Sequence, residues 1–240
     1  MSLRKTAFAA VGALLTAVTV GASAFLSPVM VSPRRYPVFG VDISHYQGDV
    51  NWKMLEEQGV KFAFVKATEG SGHIDESVRD NLERAAETGI RCSCYHFFSF
   101  DSPGKTQAEN FIASVGRDEI DMPPVVDIEY YGDKQSNKPS QEETEAILTP
   151  LLEELEAYYG VRPIIYTTIP VYLRYVRGSY GDYPLWLRCT FLEPDLVNWT
   201  FWQYDDSNSL EGYFGEEECI DFNVFNGDQE QFDSMFPGRR

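Results

Sequence analysis

The chain has 240 residues, 43% of them hydrophobic and 14% aromatic, which allows one sizeable core and makes a single folded domain the default. Its 37 acidic against 20 basic residues give a net charge of -17. That balance excludes a nucleic-acid binder, which needs Lys and Arg to neutralise phosphates, and argues against steering toward an anionic polymer.

Arg4 and Lys5 precede an uncharged, small-residue-rich stretch from Thr6 to Leu26. Ala22-Ser23-Ala24 within it forms an A-x-A-like cleavage signal. Residues 1–26 therefore read as a signal peptide or an N-terminal membrane anchor, since the run approaches the length that spans a bilayer. Either sends the rest of the chain out of the cytoplasm, to a periplasmic or extracellular site. Residues 27–37 carry Pro28, Pro33 and Pro37 and read as a linker, with the folded domain over 38–240.

From Val38 onward strands and helices alternate. Strands are predicted over 38–43, 62–67, 91–98, 124–128, 163–166, 184–187 and 200–204. Helices are predicted over 52–58, 76–88, 105–115 and 141–159. Gly59, Gly89 and Gly160 close three of these helices, and Ser140 is placed to cap the start of the long one. The apolar run before Asp127 suggests a strand buried on both faces. Alternation of this kind implies βαβ units and a mainly parallel sheet, hence an α/β fold close to a TIM barrel, somewhat reduced. Such barrels put their sites at the C-terminal ends of the strands.

Acids stand at those ends. Asp42 ends the first strand, Glu69 follows the second, Asp127 and Glu129 end the fourth, and Asp221 lies in the last segment, 219–225. Asp127 and Glu129 are two residues apart in a strand, so their carboxyls share one face. Like charge and desolvation should raise one pKa of the pair. A proton-holding carboxyl beside an ionised one is what glycosidic bond cleavage requires. Aromatic residues gather near the same ends: Tyr95, Tyr166, Trp186 and Trp202 are expected to bind sugar rings, whereas Phe97 and Phe98 are assigned to the core.

The four cysteines are Cys92, Cys94, Cys189 and Cys219. Cys92 and Cys94 point to one face of a strand and are badly placed to bond each other. The two pairings that join them to Cys189 and Cys219 are expected in an exported chain, with four buried thiols as the alternative. No metal is expected, because the C-x-C pair lacks a second cluster and the three His residues show no ligand spacing.

The ordered segments Gly40-Val41-Asp42-Ile43-Ser44, Val65-Lys66-Ala67-Thr68-Glu69-Gly70, Tyr95-His96-Phe97-Phe98, Asp127-Ile128-Glu129, Ile165-Tyr166-Thr167, Trp202-Gln203-Tyr204 and Asp221-Phe222-Asn223 together resemble glycoside hydrolase family 25, the Chalaropsis-type lysozymes. The resemblance implies a flattened, irregular α/β barrel. It implies a cofactor-free 1,4-β-N-acetylmuramidase acting on the glycan strands of peptidoglycan, expected as a monomer. It assigns Glu129 as general acid and base, Asp127 as helper or nucleophile, Asp42 and Asp221 as members of the catalytic site, and Glu69 as a supporting acid. A hydrolase of chitin-like polymers and a catalytically silent peptidoglycan-binding barrel are the competing readings. Retention of all four main acids speaks against the second. His73, Cys94, Arg188 and Cys189 depart from the usual pattern and bear on the shape of the subsites.

Overall fold

A computed structural model describes residues 35–238. The leader and anchor assignment to residues 1–26 therefore lies outside the described residues, as does most of the linker. In chain order the strands are β1 (Phe39–Ile43), β2 (Asp49–Val50), β3 (Phe62–Glu69), β4 (His73–Ile74), β5 (Arg91–Phe97), β6 (Val125–Ile128), β7 (Ile164–Thr168), β8 (Leu185–Arg188), β9 (Phe201–Asp205), β10 (Tyr213–Phe214) and β11 (Asp221–Phe225). The helices are α1 (Trp52–Glu57), α2 (Val78–Ala85), α3 (Gly104–Ser114), α4 (Gln141–Tyr159), α5 (Ile169–Val171, continued by a π-helical turn) and α6 (Gln229–Met235).

β1, β3, β5, β6, β7, β8 and β9 pair in parallel, in that order. β11 then pairs antiparallel with both β9 and β1 and closes an eight-stranded barrel. The α/β barrel implied by the sequence is thus present, with one strand more than the seven predicted. It is irregular: no helix connects β8 to β9 or β9 to β11.

Side-chain alternation sorts the core into two layers. Inward-facing Phe62, Phe64, Ile164, Tyr166, Trp186, Phe201 and Phe225 fill the barrel, and Phe232 and Phe236 at the C-terminus plug its lower end. Phe64 and Trp186 stack with ring centroids 4.1 Å apart. Each such ring contributes roughly 2–3 kcal/mol by burial. Gly40 makes room for this filling: a Cβ there would stand 2.4 Å from the Phe62 ring. Outward-facing Val41, Ala63, Val65, Cys92, Cys94, Val126, Ile128 and Leu187 meet the helices and loops outside.

The predicted bounds of α4 hold, and its ends have the expected chemistry. Ser140 Oγ accepts from the Glu143 amide at 3.1 Å, and Glu143 Oε2 accepts from the Ser140 amide at 2.8 Å. Gly160 ends the helix at φ 75°. Tyr36, two residues before the predicted start of the domain, is buried against Trp199 and Trp202 and bonds Glu193.

The expected disulfides are absent: no bond joins Cys92, Cys94, Cys189 and Cys219. The reason is topological. β6 and β7 separate β5 from the end of β8, a gap of about 14 Å across three strand spacings. A disulfide tolerates Cα atoms no more than about 7 Å apart. Cys219 precedes β11, which lies equally far from β5 on the other side of the barrel.

α3 packs on α4 through Gly104, where a Cβ would lie 1.9 Å from the Ile147 carbonyl oxygen. That neighbour is backbone and cannot swing away. Gly104→Ala is expected to lower stability by about 1–3 kcal/mol, the scale of an overpacked interior, read as a shift in the urea midpoint with unchanged slope.

Candidate active site

Strand polarity brings the acids together. In the parallel strands Asp42 and Asp127 sit at C-terminal ends, with Glu129 one residue beyond β6. Asp221 is the first residue of β11, not the last, but β11 runs the opposite way. Its N-terminal end therefore reaches the same rim, where Asp42 and Asp221 are cross-strand partners.

The rim opens into a cleft of about 300 Å³. Asp42, Asp127, Glu129 and Asp221 line it, with Tyr95, Tyr166 and Trp186 among the walls. The structure thus collects all four main acids and three of the four expected sugar-binding aromatics. It does not collect Trp202. That ring faces away from the barrel, packs on Tyr36 and Trp199, and donates Nε1–H to the Cys189 carbonyl at 2.9 Å. Position 202 on β9 has the outward parity, whereas Phe201 and Gln203 face in. Glu69 also stays out of the cleft lining and holds Lys66 Nζ at 3.1 Å. Phe97, assigned to the core from sequence, lines the cleft instead, with Lys66 Nζ 5.2 Å from its ring centre.

Two polar residues that sequence reasoning left without roles organise the site. Gln203 Nε2 donates to Asp42 Oδ2 at 2.9 Å and to Asp221 Oδ2 at 2.8 Å. Asn223 Nδ2 donates to Asp42 Oδ2 at 2.8 Å. Tyr166 donates its hydroxyl proton to Gln203 Oε1 at 2.8 Å, and Trp186 Nε1–H donates to Asn223 Oδ1 at 2.7 Å. Both amides are orientated from below by the aromatic floor and present their N–H groups to carboxylates above. The available signal was parity: Asn223 stands two residues from Asp221 on one strand, so both face the barrel. Lys66, Ser44, Gln47 and Glu217 also line the cleft and were not anticipated, Gln47 donating to Glu217 at 3.0 Å.

With the geometry in place, comparison with known proteins is specific. The profile of glycosyl hydrolases family 25 matches residues 41–213. The chain belongs to glycosyl hydrolases family 25. A family 25 glycosyl hydrolase from Bacillus anthracis of known structure is 42% identical, covers 88% of this chain and 98% of its own, and superposes with a TM-score of 0.81. Lysozyme M1 of Streptomyces globisporus is 31% identical over 207 residues, covering 79% of this chain and 68% of that protein. The uncharacterized protein YegX of Escherichia coli K12 is 31% identical, covering 86% of this chain and 76% of its own.

In this family 25 hydrolase the carboxyls carry raised pKa values, and burial is the first cause of each. Asp42 rises to about 6, held down by the hydrogen bonds from Asn223 and Gln203. Asp221 rises to about 9, through burial and then the Asp42 charge beside it. Asp127 is pushed well above the usual carboxylate range by burial, then by Glu129 and Asp42. Glu129 is raised by burial, with Arg188 and Lys66 pulling it back. Arg188, on the inward face of β8, pairs with Asp206 at the rim. One Asp127 oxygen, Oδ1, is buried and has no hydrogen-bond partner among the described residues.

A carboxyl that binds its proton more tightly when folded stabilises the fold below its unfolded pKa and loses that contribution as pH rises through the folded one. For Asp221 the window runs from about 4 to about 9. Stability should fall across it, with a slope of at most about 1.4 kcal/mol per pH unit from this proton. Asp221→Asn is expected to flatten that decline, as followed by urea unfolding at a series of pH values.

Proposed function

We propose that this family 25 hydrolase is a muramidase that cuts the β-1,4 bond between N-acetylmuramic acid and N-acetylglucosamine in peptidoglycan, outside the cytoplasm. The observation that carries this reading is the paired Asp127 and Glu129 in a cleft floored by aromatic rings, in a chain related to a protein named as a lysozyme. The sugar before the scissile bond would occupy the cleft, its face toward Tyr95, Tyr166 and Trp186.

Glu129 is the proton carrier in this reading. Burial favours its neutral form, so it can protonate the leaving oxygen. Lys66 and Arg188 oppose that shift and favour the ionised form, which after proton transfer can activate water. Asp127 is the helper. Its unpartnered Oδ1 supports this role, because a buried acceptor with no donor fits an N–H brought by the substrate. The 2-acetamido group of the sugar carries such an N–H. Accepting it would stabilise the ionised form of Asp127 and leave the proton of the pair on Glu129. The acetamido carbonyl oxygen, held in place by that bond, then attacks the anomeric carbon as the leaving oxygen takes the Glu129 proton. Water, deprotonated by Glu129, opens the resulting oxazolinium.

Asp42 and Asp221 act at one remove. The Asp42 charge opposes ionisation of Asp127 until substrate binds, and Asp221 keeps a proton beside Asp42. Gln203 and Asn223 fix both carboxyls so that this field is set before substrate arrives. Glu69 acts through Lys66, which it positions beside the cleft.

Glu129→Gln is expected to lower the release of reducing ends from purified peptidoglycan by about 100- to 10,000-fold, with the circular dichroism spectrum retained. Full activity in that variant would refute the assignment of the acid. Asp127→Asn should lose less in substrate binding than in turnover, seen as a fall in kcat at nearly constant KM.

A further inference from the structure

A second groove, of about 1280 Å³, leads away from the cleft along α5 and the loop 189–197. Among the described residues Glu129 alone lines both spaces. If Glu129 protonates the leaving oxygen, the groove beyond it is the leaving-group side.

The groove has an unusual surface. Leu173, Phe191, Leu192 and Leu196 are exposed along it, Leu196 fully at 101%. Contiguous apolar surface of this kind marks a binding site. Lys138 and Arg177 stand on the same surface, and neither has a carboxylate in salt-bridge range among the described residues. In a chain of net charge -17 that is notable. Of the acids of the loop, Glu193 pairs with Arg35 at 2.9 Å, and Asp195 stands 3.5 Å from the same guanidinium. The groove therefore offers apolar contact and positive charge together, continuous with the cleft.

The geometry points to an acidic peptide as its occupant, the one carried by the muramoyl residue that is the second sugar beyond the scissile bond. Its aliphatic side chains lie against the leucines, and its carboxylates meet Lys138 and Arg177. A bare sugar chain would use the hydroxyl-binding cleft, leave the leucines uncovered and bring no counter-charge to Arg177 or to Lys138, whose Nζ rests 5.1 Å from the Tyr130 ring centre. This inference rests on the muramidase reading and assigns that enzyme a preference for peptide-bearing strands.

The test compares uncross-linked glycan strands that carry their peptides with the same strands after an amidase has removed them. The readout is kcat/KM from new reducing ends. Wild type should prefer the peptide-bearing strands by about five- to tenfold, the scale of two exposed ion pairs with some apolar contact. The Lys138→Gln, Arg177→Gln double variant should bring the ratio of the two rates toward one. Equal rates in wild type, or an unchanged ratio in the double variant, would overturn the inference while leaving the muramidase reading intact. Equal rates together with binding to phosphatidylcholine vesicles that Leu196→Asp abolishes would overturn it in favour of a lipid surface. Cleavage of neither polymer would overturn both readings.

Discussion

One amide, the side chain of Gln203, holds the carboxyls of two facing strands. Asp42 and Asp221 are direct cross-strand partners, and two like charges in that position would push β1 and β11 apart. The bifurcated donation from Gln203, with help from Asn223, makes the juxtaposition tolerable. Retention of a proton on the pair does the rest. The closing seam of the barrel and the electrostatics of the cleft are thus one structure.

That arrangement requires the floor beneath it. Gln203 and Asn223 can aim their N–H groups upward only because Tyr166 and Trp186 satisfy their carbonyl oxygens from below. The same rings are held by the aromatic filling of the barrel, where Phe64 stacks on Trp186. The packing that stabilises the fold therefore also desolvates the acids, and desolvation is the first cause of every raised carboxyl pKa in the cleft. Stability and chemistry share residues here, so a change at the floor should be felt in both.

The two spaces that meet at Glu129 differ in kind. The cleft is small, acidic and built on strand ends, which makes it rigid. The groove beyond is wider, apolar and built on loops and α5. A rigid site for the reacting sugar beside a looser one for what is attached to it suits a polymer whose glycan is uniform and whose substituents vary.

The sequence by itself determined the alternation of seven barrel strands with their helices, the long capped helix, the pairing of Asp127 with Glu129, and the acids at or near the strand ends. These rest on periodicity, capping chemistry and two-residue spacing, all local properties of the chain. Tertiary structure decided the rest. The reversal of β11 brings a strand's first residue, Asp221, to a rim otherwise made of strand ends. The inward parity of β9 turns Gln203 into the cleft and Trp202 out of it, and no local pattern fixes which face of a strand of alternating bulky residues will be interior. Barrel order holds Cys92 and Cys94 three strands from either expected partner. The distances that matter run around the closed sheet, and closure is a property of all eight strands together, which no single segment carries.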